Sequence, residues 1–543
     1  MKVKGFTRRD FIKAAALAAL VGSTACSISP PSGYKKSYFY NYDIRAFIED
    51  AGKENIVLGC PTDTSVTISL LTRDSKMFHV EYGEGPGMYT GKSPSFAASS
   101  SDGYPVTAIL SDLKPNTRYF YRIVYKSDES DPGSTGEEHS SGTQVSKGES
   151  FTFGVQGDSH PERAGRMFDS YLYMRLMSLV ARHKPDFYIM LGDDFSIERL
   201  ISRNSITQAR VDDIYYNQRN NYIRHMSHST PLFLVNGNHE QAAFANLSAK
   251  YRDAPICAGN ARVSIFPLPA PDNFYTGDSE PLEGIKGDGL RRDYYAWTWG
   301  DALFITLDPY WHSPAPVDNV PLGNKYTGNR WNITMGNAQY AWLKKTLEES
   351  DARFKFVFAH HVNGTGRGGA ASVGNMEWGD VSGVKSHRPE WEMPVHHLMV
   401  KHNVTIFFFG HDHIYAREMV DGIVYQAVPN PADPTYTPFN CTAYRPSRSS
   451  LYRADYDRNY GVIFPNGGFL NVTVTSDNVK VDYIRSYLPH DEKPEHPNGE
   501  VAYSYTLPKQ PGEKGMQFNC SAYRSKSGRG GSSSRRRRSR NWR

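Results

Sequence analysis

Alternation between hydrophobic and polar residues is the main pattern near the start of the chain. Residues 65–71 alternate with a period of two, and residues 78–82 follow with the same pattern. Turn-forming clusters such as the Gly-rich segment 83–87 separate the runs. Short runs of period two between turns are typical of half-buried β-strands. We therefore predict an all-β sandwich over residues 34–148, which ends in a Ser-, Gly- and charge-rich linker or long loop at 131–147.

After residue 150 the pattern changes to short apolar runs that alternate with stretches of helical spacing. The apolar runs, each ending in Gly or His, are 151–157, 186–192, 231–237, 355–360 and 404–410. Between them, residues 171–183 and 337–349 carry apolar side chains three and four positions apart, as amphipathic helices do. This alternation predicts an α/β domain with buried strands over residues 149–487. Renewed alternation at 468–474 and 479–483 predicts its closing strands.

The N-terminus has the composition of a targeting segment. The basic stretch Thr7-Arg8-Arg9-Asp10-Phe11-Ile12-Lys13 precedes an apolar run, 14–21, that is too short to span a bilayer. Residues 1–33 are therefore predicted to be an export signal that resembles the twin-arginine type, with a general secretory signal as the alternative. Ser23-Thr24-Ala25-Cys26 resembles a lipoprotein cleavage site, although Ser23 stands where leucine is usual. Cys26 is the candidate lipid anchor of a periplasmic or membrane-anchored bacterial protein.

Charge and cysteine content exclude several classes of protein. The formal charge of +5 is concentrated at the ends, since the last 23 residues carry nine Lys or Arg and no acid, and the first 26 carry a net +4. The remaining body is near −8, which argues against nucleic-acid binding. Five cysteines without a CxxC pair exclude a thiolate zinc cluster, so any metal must be held by histidine and carboxylate.

The C-terminal residues 488–543 are predicted to be an extension. Its last part, 525–543, is low-complexity Gly, Ser and Arg, and we expect it to be disordered. A solvated tail and a surface or lipid-phosphate contact are both open for it. If Cys26 is lost or lipidated, the remaining four cysteines allow three pairings. The similarity of FNCTAYR and FNCSAYR favours a disulfide between Cys441 and Cys520.

Five short polar blocks, each directly after a predicted strand, carry the chemistry. They are Gly157-Asp158-Ser159-His160, Gly192-Asp193-Asp194, Gly237-Asn238-His239-Glu240, His360-His361 and Gly410-His411-Asp412-His413. In open α/β sheets ligands bind at the carboxyl ends of strands, where all five blocks fall. Any one block occurs by chance. All five together predict a metal site.

The residue types indicate a pair of metal ions. Two ions ~3.5–4 Å apart need a bridging carboxylate, and a bridging hydroxide then serves as the nucleophile. Asp193 is the predicted bridge. A mixed set of imidazole, carboxylate and amide ligands suits divalent or trivalent Fe, Zn or Mn better than magnesium. In the triplets 158–160 and 411–413 the alternate side chains can turn to the same side, so each triplet offers two ligands.

These blocks resemble the motifs of the calcineurin-like metallophosphoesterase superfamily, which run D-x-H, GD, GNH(D/E), H and GHxH. The preceding β-sandwich and the spelling GNHE, VxxH and GHxH are most similar to a bacterial purple acid phosphatase-like protein. Residues 108–123 also resemble the late strands of a fibronectin type III domain. The resemblance implies an α/β (α+β) four-layer metallophosphoesterase sandwich preceded by an all-β fibronectin III-like domain.

The resemblance also assigns roles to residues. One metal would take Asp158, His160, Asp193 and His413, and the other Asp193, Asn238, His360 and His411. His239 would donate a hydrogen bond to a phosphoryl oxygen or protonate the leaving group. Two departures matter: Ser196 stands where purple acid phosphatases have a metal-binding tyrosine, and His160 stands where they have glycine. We therefore expect no tyrosinate absorption band.

Contacts outside the ligand set are open at this point. The candidate substrate contacts, listed together, are His361, Asn363, Arg367 and Arg163, with an ordinary flexible loop as the alternative for the first three. Asp194 and Glu240 are either acceptors that orient metal-bound histidines or helix N-caps. Asp308 is a further candidate for such an orienting acceptor.

The sequence thus predicts an exported dinuclear-metal phosphoesterase that hydrolyses phosphate monoesters through a metal-bound hydroxide. Its partner is a small phosphate-ester substrate, and the sequence leaves its oligomeric state open. Phosphodiesterase activity at the same site is the first alternative. A noncatalytic surface-binding protein is the second, which the complete ligand set argues against. Ser159 lies between two predicted ligands and projects to the opposite side, so covalent catalysis by it is not predicted.

Overall fold

The structure is a computed structural model. It describes residues 55–72, 77–97, 104–128, 130–240, 253–310, 313–315, 317, 329–363, 369–436 and 462–508. The predicted export signal, Cys26, the pair Cys441 and Cys520, Arg367 and the Arg-rich tail lie outside these residues. Within the described part of the chain, none of the helices has the length and hydropathy needed to cross a membrane.

The described residues of the first domain form nine strands in two antiparallel sheets. The strands are β1 Asn55–Gly59, β2 Val66–Leu71, β3 Met77–Gly83, β4 Gly91–Lys92, β5 Phe96–Ala97, β6 Val106–Leu110, β7 Arg118–Lys126, β8 Ser134–Thr135 and β9 His139–Gly142. One sheet has the order β1-β2-β6; in the other, β3 and β7 lie at the centre. Inward-facing residues of both sheets, such as Ile68 and Val80, form one buried cluster. The predicted all-β domain is confirmed.

Two mixed sheets form the second domain. The first has the order β12-β11-β10-β21-β22-β23 and the second β13-β14-β15-β16-β17-β19-β18-β20. The first sheet comprises β10 Phe151–Gln156, β11 Phe187–Met190, β12 Leu232–Leu234, β21 Gly468–Val474, β22 Asn478–Arg485 and β23 Val501–Pro508. The second comprises β13 Thr276–Gly277, β14 Tyr295–Trp299, β15 Ala302–Thr306, β16 Phe354–Ala359, β17 Ile406–Phe409, β18 Tyr415–Val420, β19 Ile423–Ala427 and β20 Val462–Phe464.

The two sheets pack face to face through an aromatic core. The ring of Phe153 in β10 lies 5.1 Å from that of Phe304 in β15 and 5.3 Å from that of Phe356 in β16. Offset and edge-to-face contacts of this kind add to the burial of apolar area. Each sheet therefore buries one face against the other sheet and its opposite face against helices.

Helices cover both outer faces. They are α1 Ser170–His183, α2 Glu198–Ser202, α3 Gln208–Gln218, α4 Arg224–Ser227, α5 Asp253–Ile265, α6 Asn337–Glu349, α7 Met376–Gly379, α8 Val381–His387 and α9 Val395–Lys401. Apolar residues of α1, α3 and α5 pack on the first sheet, and those of α6 and α9 on the second. The α/β sandwich of four layers predicted for this region is confirmed.

The predicted elements agree with the structure except at their ends. The runs that precede the polar blocks end as strands one to three residues earlier than predicted, because the last residues of each run already lie in the loop. The helix predicted at 337–349 is observed with the same limits. Strand β23 was not predicted; it pairs with β22, so the first sheet continues past residue 487 into the segment assigned to the C-terminal extension.

A π-helical segment, Arg219–Ile223, joins α3 to α4 and connects the two domains. Arg219 is fully buried, and its guanidinium donates to the side-chain and main-chain oxygens of Asn55 and Ser69, on β1 and β2. It also donates to the carbonyl of Ile265 at 2.5 Å. The preceding residue, Gln218, turns toward the polar blocks instead, donating to Asp194 O at 2.7 Å. Two consecutive residues, Gln218 and Arg219, thus contact the loops of the second domain and the strands of the first.

His228, which packs against His139 at this domain boundary, is expected to make the stability of the protein sensitive to acid. The ring of His228 lies 4.5 Å from that of His139 in β9, and the His228 carbonyl accepts from Tyr121 Oη at 2.7 Å. Burial, and then the neighbouring His139, lower the pKa of His228 to about 4. In the unfolded chain the ring takes up its proton near pH 6.5, so unfolding is favoured as the pH falls through the window between these values.

We expect His228 to lower the free energy of unfolding by up to about 3 kcal/mol as the pH falls from 6.5 to 4. Above pH 7 the contribution is constant. His228→Asn should remove this part of the acid sensitivity. Denaturant unfolding of the wild type and the variant at pH 7.5, 5.5 and 4 measures it. Parallel losses in the two proteins would contradict the assignment.

Candidate metal centre

The five polar blocks converge at one end of the sandwich. Asp158, Asp193 and Asn238 follow the parallel strands β10, β11 and β12, while His360 and the His411 block follow the parallel strands β16 and β17. Carboxyl ends of parallel strands meet at one edge, so two facing sheets bring five loops together. The predicted ligands and His239 are all at most 2% exposed. The structure therefore brings together all eight residues that the sequence singled out.

Unusual backbone conformations orient these side chains. His160, Asp193, His411 and His413 all have positive φ, between 51° and 64°. Residues other than glycine seldom adopt this conformation, and it persists only where the surroundings enforce it. Four such residues in one cluster indicate that local backbone strain is stored at this site.

The glycines that begin the blocks are required because atoms of neighbouring loops approach them closely. A Cβ atom at Gly237 would lie 2.3 Å from both the amide nitrogen and Oδ1 of Asp193. One at Gly410 would lie 2.5 Å from Asp158 Oδ1. No side chain fits at those distances, so the recurring Gly of the blocks has a steric cause.

The first group of candidate ligands surrounds Asp158. His413 Nε2 lies 2.8 Å from Asp158 Oδ2 and 3.0 Å from His160 Nε2. His160 Nε2 is also 3.6 Å from Asp193 Oδ2. Ligand atoms of Asp158, His160 and His413 lie within 4.8 Å of one another, which is compatible with binding of one cation.

The second group surrounds His360. Its Nε2 lies 3.0 Å from Asn238 Oδ1 and 3.1 Å from Asp193 Oδ2. Ligand atoms of Asp158, Asp193, His360 and His411 again lie within 4.8 Å of one another. Two carboxylates are thus close to both groups.

The carboxylate of Asp193 differs from that of Asp158 in how its oxygens are satisfied. Asp158 Oδ1 and Oδ2 are hydrogen-bonded by His411 N and His413 Nε2. Asp193 Oδ1 accepts from His239 N at 2.9 Å. Its buried Oδ2 lies 3.1 Å from His360 Nε2 but has no hydrogen bond of good geometry among the described residues. A buried carboxylate oxygen among imidazole nitrogens is costly unless a cation is close. The donor set and this oxygen both fit metal ions.

The electrostatics of the cluster favour positive charge. Burial raises the pKa of Asp193, but the histidines His239 and His360 outweigh it and hold that pKa well below its usual range. Burial lowers the pKa of His360, but the carboxylates of Asp193 and Asp158 outweigh burial and raise that pKa to about 10. A buried site with this field stabilises cations.

Acceptors behind the ring nitrogens orient two of the histidines. His360 Nδ1 lies 2.8 Å from the carbonyl oxygen of Leu191, and His160 Nδ1 lies 2.9 Å from Glu162 Oε1. Such partners hold Nδ1 protonated and leave Nε2 free to bind a metal. Sequence reasoning missed Glu162, although a carboxylate two residues after a candidate histidine ligand was a signal for it.

The sequence left two roles open for Asp194 and Glu240, orienting a histidine ligand or capping a helix, and their hydrogen bonds serve a third. Glu240 Oε1 accepts from the amides of Asp194 and Phe195, and its Oε2 from that of Gly237. Asp194 Oδ1 accepts from the Ser159 hydroxyl at 2.5 Å. Neither carboxylate contacts a candidate histidine ligand or caps a helix in these bonds. Both hold the loops together, and Ser159 is engaged on the side away from the ligands.

His239 lies beside the ligands and contacts a second carboxylate. Its Nε2 is 3.7 Å from Asp193 Oδ2, and its Nδ1 is 3.1 Å from Glu198 Oε2 in α2. Burial lowers its pKa, but Asp193 and then Glu198 outweigh burial and raise it to about 9. Glu198 was not predicted; its position in the first turn after the Asp193 block is the available signal. The hydroxyl of Ser196 lies 3.5 Å from His239 Nδ1.

The predicted substrate contacts lie in different places. Arg163 Nη2 is 3.1 Å from His239 Nε2, at the site. His361 is buried, with its ring 3.9 Å from that of His411. Asn363 donates to the carbonyl of Ser372 at 2.8 Å, an internal loop contact. Arg367 lies outside the described residues. Asp308 accepts from Asn236 Nδ2 at 2.8 Å, next to the block that contains Asn238.

Two family profiles match the chain. That of the calcineurin-like phosphoesterases matches residues 151–415, and that of the purple acid phosphatase N-terminal domain matches residues 54–152. These matches fall on the second and first domains of the structure. No curated protein matches the chain.

Solved structures with the same architecture include two proteins that each cover most of this chain. PhoD is 15% identical, with a TM-score of 0.61 over 85% of this chain and 90% of PhoD. Purple acid phosphatase PPD1 from yellow lupin (Lupinus luteus) seeds is 15% identical, with a TM-score of 0.53 over 84% of this chain and 74% of its own. At this identity the likeness establishes the fold.

Proposed function

Since the chain carries a calcineurin-like phosphoesterase domain behind a purple acid phosphatase N-terminal domain and is a metal-dependent phosphoesterase, we propose that it hydrolyses phosphate monoesters at a dinuclear metal centre. The observation that carries the proposal is the position of Asp193. Its Oδ2 lies 3.6 Å from His160 Nε2 in one group of ligands and 3.1 Å from His360 Nε2 in the other. A carboxylate shared in this way is what a pair of cations requires.

In this proposal the two ligand sets share Asp193. One metal is held with Asp158, His160 and His413. The other is held with Asn238, His360 and His411. When bound, the ions would polarise phosphoryl oxygens and lower the pKa of a coordinated water. The mixed nitrogen and oxygen ligands support Fe, Zn or Mn.

His239 and Arg163 act on the substrate. Hydrolysis breaks the bond between phosphorus and the ester oxygen, which leaves with a proton. His239 lies beside the ligand cluster and is oriented by Glu198, so we assign proton donation to it. Arg163, in contact with His239, supplies N–H groups for the phosphoryl oxygens.

A comparison of two esters tests the proposal. Protein loaded separately with Fe, Zn and Mn should cleave p-nitrophenyl phosphate faster than bis(p-nitrophenyl) phosphate, and elemental analysis should find two metal ions per chain. A strong preference for the bis-ester would replace the monoester assignment with phosphodiesterase activity. A single tightly bound ion in the most active form would refute the dinuclear centre.

Export to the periplasm or to a lipid-anchored position is also part of the proposal. It rests on the basic stretch and apolar run before Cys26. Fractionation of cells that make the wild type or an Arg8→Lys, Arg9→Lys variant checks it. The variant should stay in the cytoplasm if the signal is of the twin-arginine type.

A further inference from the structure

The histidines of the site differ in what their Nδ1 atoms contact. Behind His360 is a carbonyl oxygen and behind His160 a carboxylate oxygen, both of which only accept. Behind His361 is the phenol of Tyr310, whose hydroxyl also donates. This difference decides on which ring nitrogen of a neutral imidazole the proton resides.

An acceptor behind Nδ1 keeps the proton there and leaves a lone pair on Nε2 for a metal. A donor behind Nδ1 has the opposite effect, because Nδ1 must then accept and Nε2 carries the proton. A phenol is a good donor and a neutral imidazole nitrogen a good acceptor, so donation from Tyr310 Oη to His361 Nδ1 is the favoured direction. In that tautomer His361 Nε2 cannot bind a metal.

His361 nevertheless lies within the ligand cluster. Its ring is 3.9 Å from that of His411 and 5.0 Å from that of His360, and ring nitrogens of these three histidines lie within 4.8 Å of one another. An N–H at this place is within reach of a group bound at the metal centre. His361 is 2% exposed, and burial strengthens such a hydrogen bond.

Tyr310 is anchored to the loops that carry the ligands. Its amide donates to Asp308 Oδ1 at 2.8 Å, and Asp308 Oδ2 accepts from Asn236 Nδ2 at 2.8 Å, two residues before the candidate ligand Asn238. Gln339 in α6 holds the amide of Asp308 at 2.8 Å. The main chain of Tyr310 is therefore held in place by contacts that do not involve His361.

We infer that Tyr310 is a positioning residue that holds His361 in the Nε2–H tautomer, so that His361 donates a hydrogen bond to a phosphoryl oxygen and does not bind a metal. The inference rests on the proposed function, which supplies the phosphoryl group. The opposite polarity, with Nδ1–H donating to the phenol oxygen, would make His361 an additional metal ligand. The two polarities predict different metal contents for the same variants.

The test uses Tyr310→Phe, His361→Gln and the double variant. Tyr340→Phe is the matched control, since Tyr340 is another buried tyrosine whose hydroxyl donates to the Met393 carbonyl at 2.8 Å. Elemental analysis and binding of inorganic phosphate to the metal-loaded proteins are the readouts. We expect every variant to retain the metal content of the wild type. Phosphate should bind about 10-fold more weakly to Tyr310→Phe and to His361→Gln, as expected for loss of one donor at the site.

The double variant should bind phosphate no more weakly than His361→Gln alone, because both changes remove the same hydrogen bond. Tyr340→Phe should match the wild type. Loss of metal from His361→Gln or Tyr310→Phe would overturn the inference and make His361 a ligand; unchanged phosphate binding in both would also overturn it. A wild type that binds metals and phosphate but cleaves no ester would refute the proposed function instead.

Discussion

Replacing Asp193 with asparagine should lower the rate of ester hydrolysis by on the order of 10³-fold or more and reduce the metal content below that of the wild type. The amide keeps the shape of the side chain but removes the negative charge shared by the two ligand groups. Without that charge, two cations a few ångströms apart repel each other with little compensation. Turnover of p-nitrophenyl phosphate and elemental analysis on the same preparations measure both effects.

Asp186→Asn is the matched control for this variant. Asp186 precedes the same strand, β11, at its opposite end, and accepts from Thr152 N at 2.8 Å, a bond that asparagine can retain. We expect this control to keep its activity and metal content. Turnover at the parent rate in the Asp193 variant would show that the bridging carboxylate is misassigned.

Replacing Arg219 with methionine should lower the free energy of unfolding by about 4 kcal/mol. The guanidinium is fully buried, and its acceptors in the described residues are neutral oxygens of both domains. Methionine fills part of the space but leaves the carbonyls of Asn55, Ser69 and Ile265 without these donors. Denaturant unfolding, followed with limited proteolysis of the first domain, measures the loss.

The control lies in the same helical stretch. Arg210 in α3 is exposed, and its guanidinium donates to the carbonyl of Ser205 at 3.0 Å. Arg210→Met should change the unfolding free energy by no more than about 0.5 kcal/mol. Equal effects of the two substitutions would contradict the role assigned to Arg219 at the domain boundary.

The ligand candidates could be found in the sequence because each is tied to a local pattern. A buried parallel strand is a short apolar run, and the turn after it needs glycine where backbones approach closely, as at Gly237 and Gly410. A polar residue after such a turn is therefore visible as a block. The structure places these blocks together; their roles as ligands stay a proposal until metals are measured.

The residues that support the site were harder to find, because their contacts are distant in sequence or belong to ordinary side chains. Gln218 contacts the Asp193 block from 24 residues away, and Tyr310 reaches His361 from 51 residues away. Strand β23 was missed for a related reason. Only one of its eight residues is buried, so the hydrophobic signal of this edge strand is weak.

Periodicity, turn residues and the order of polar blocks predicted the fold class, the all-β first domain and a metal site, and the resemblance of those blocks to known motifs assigned the eight residues of the candidate centre. These are local properties, set by which residues are buried in one strand and which follow it. Only the tertiary structure decided that Asp193 lies between the two histidine groups, that Glu198 contacts His239 and that a phenol lies behind His361. Such contacts depend on distances between strands that are far apart in the chain, and residue spacing carries no record of them.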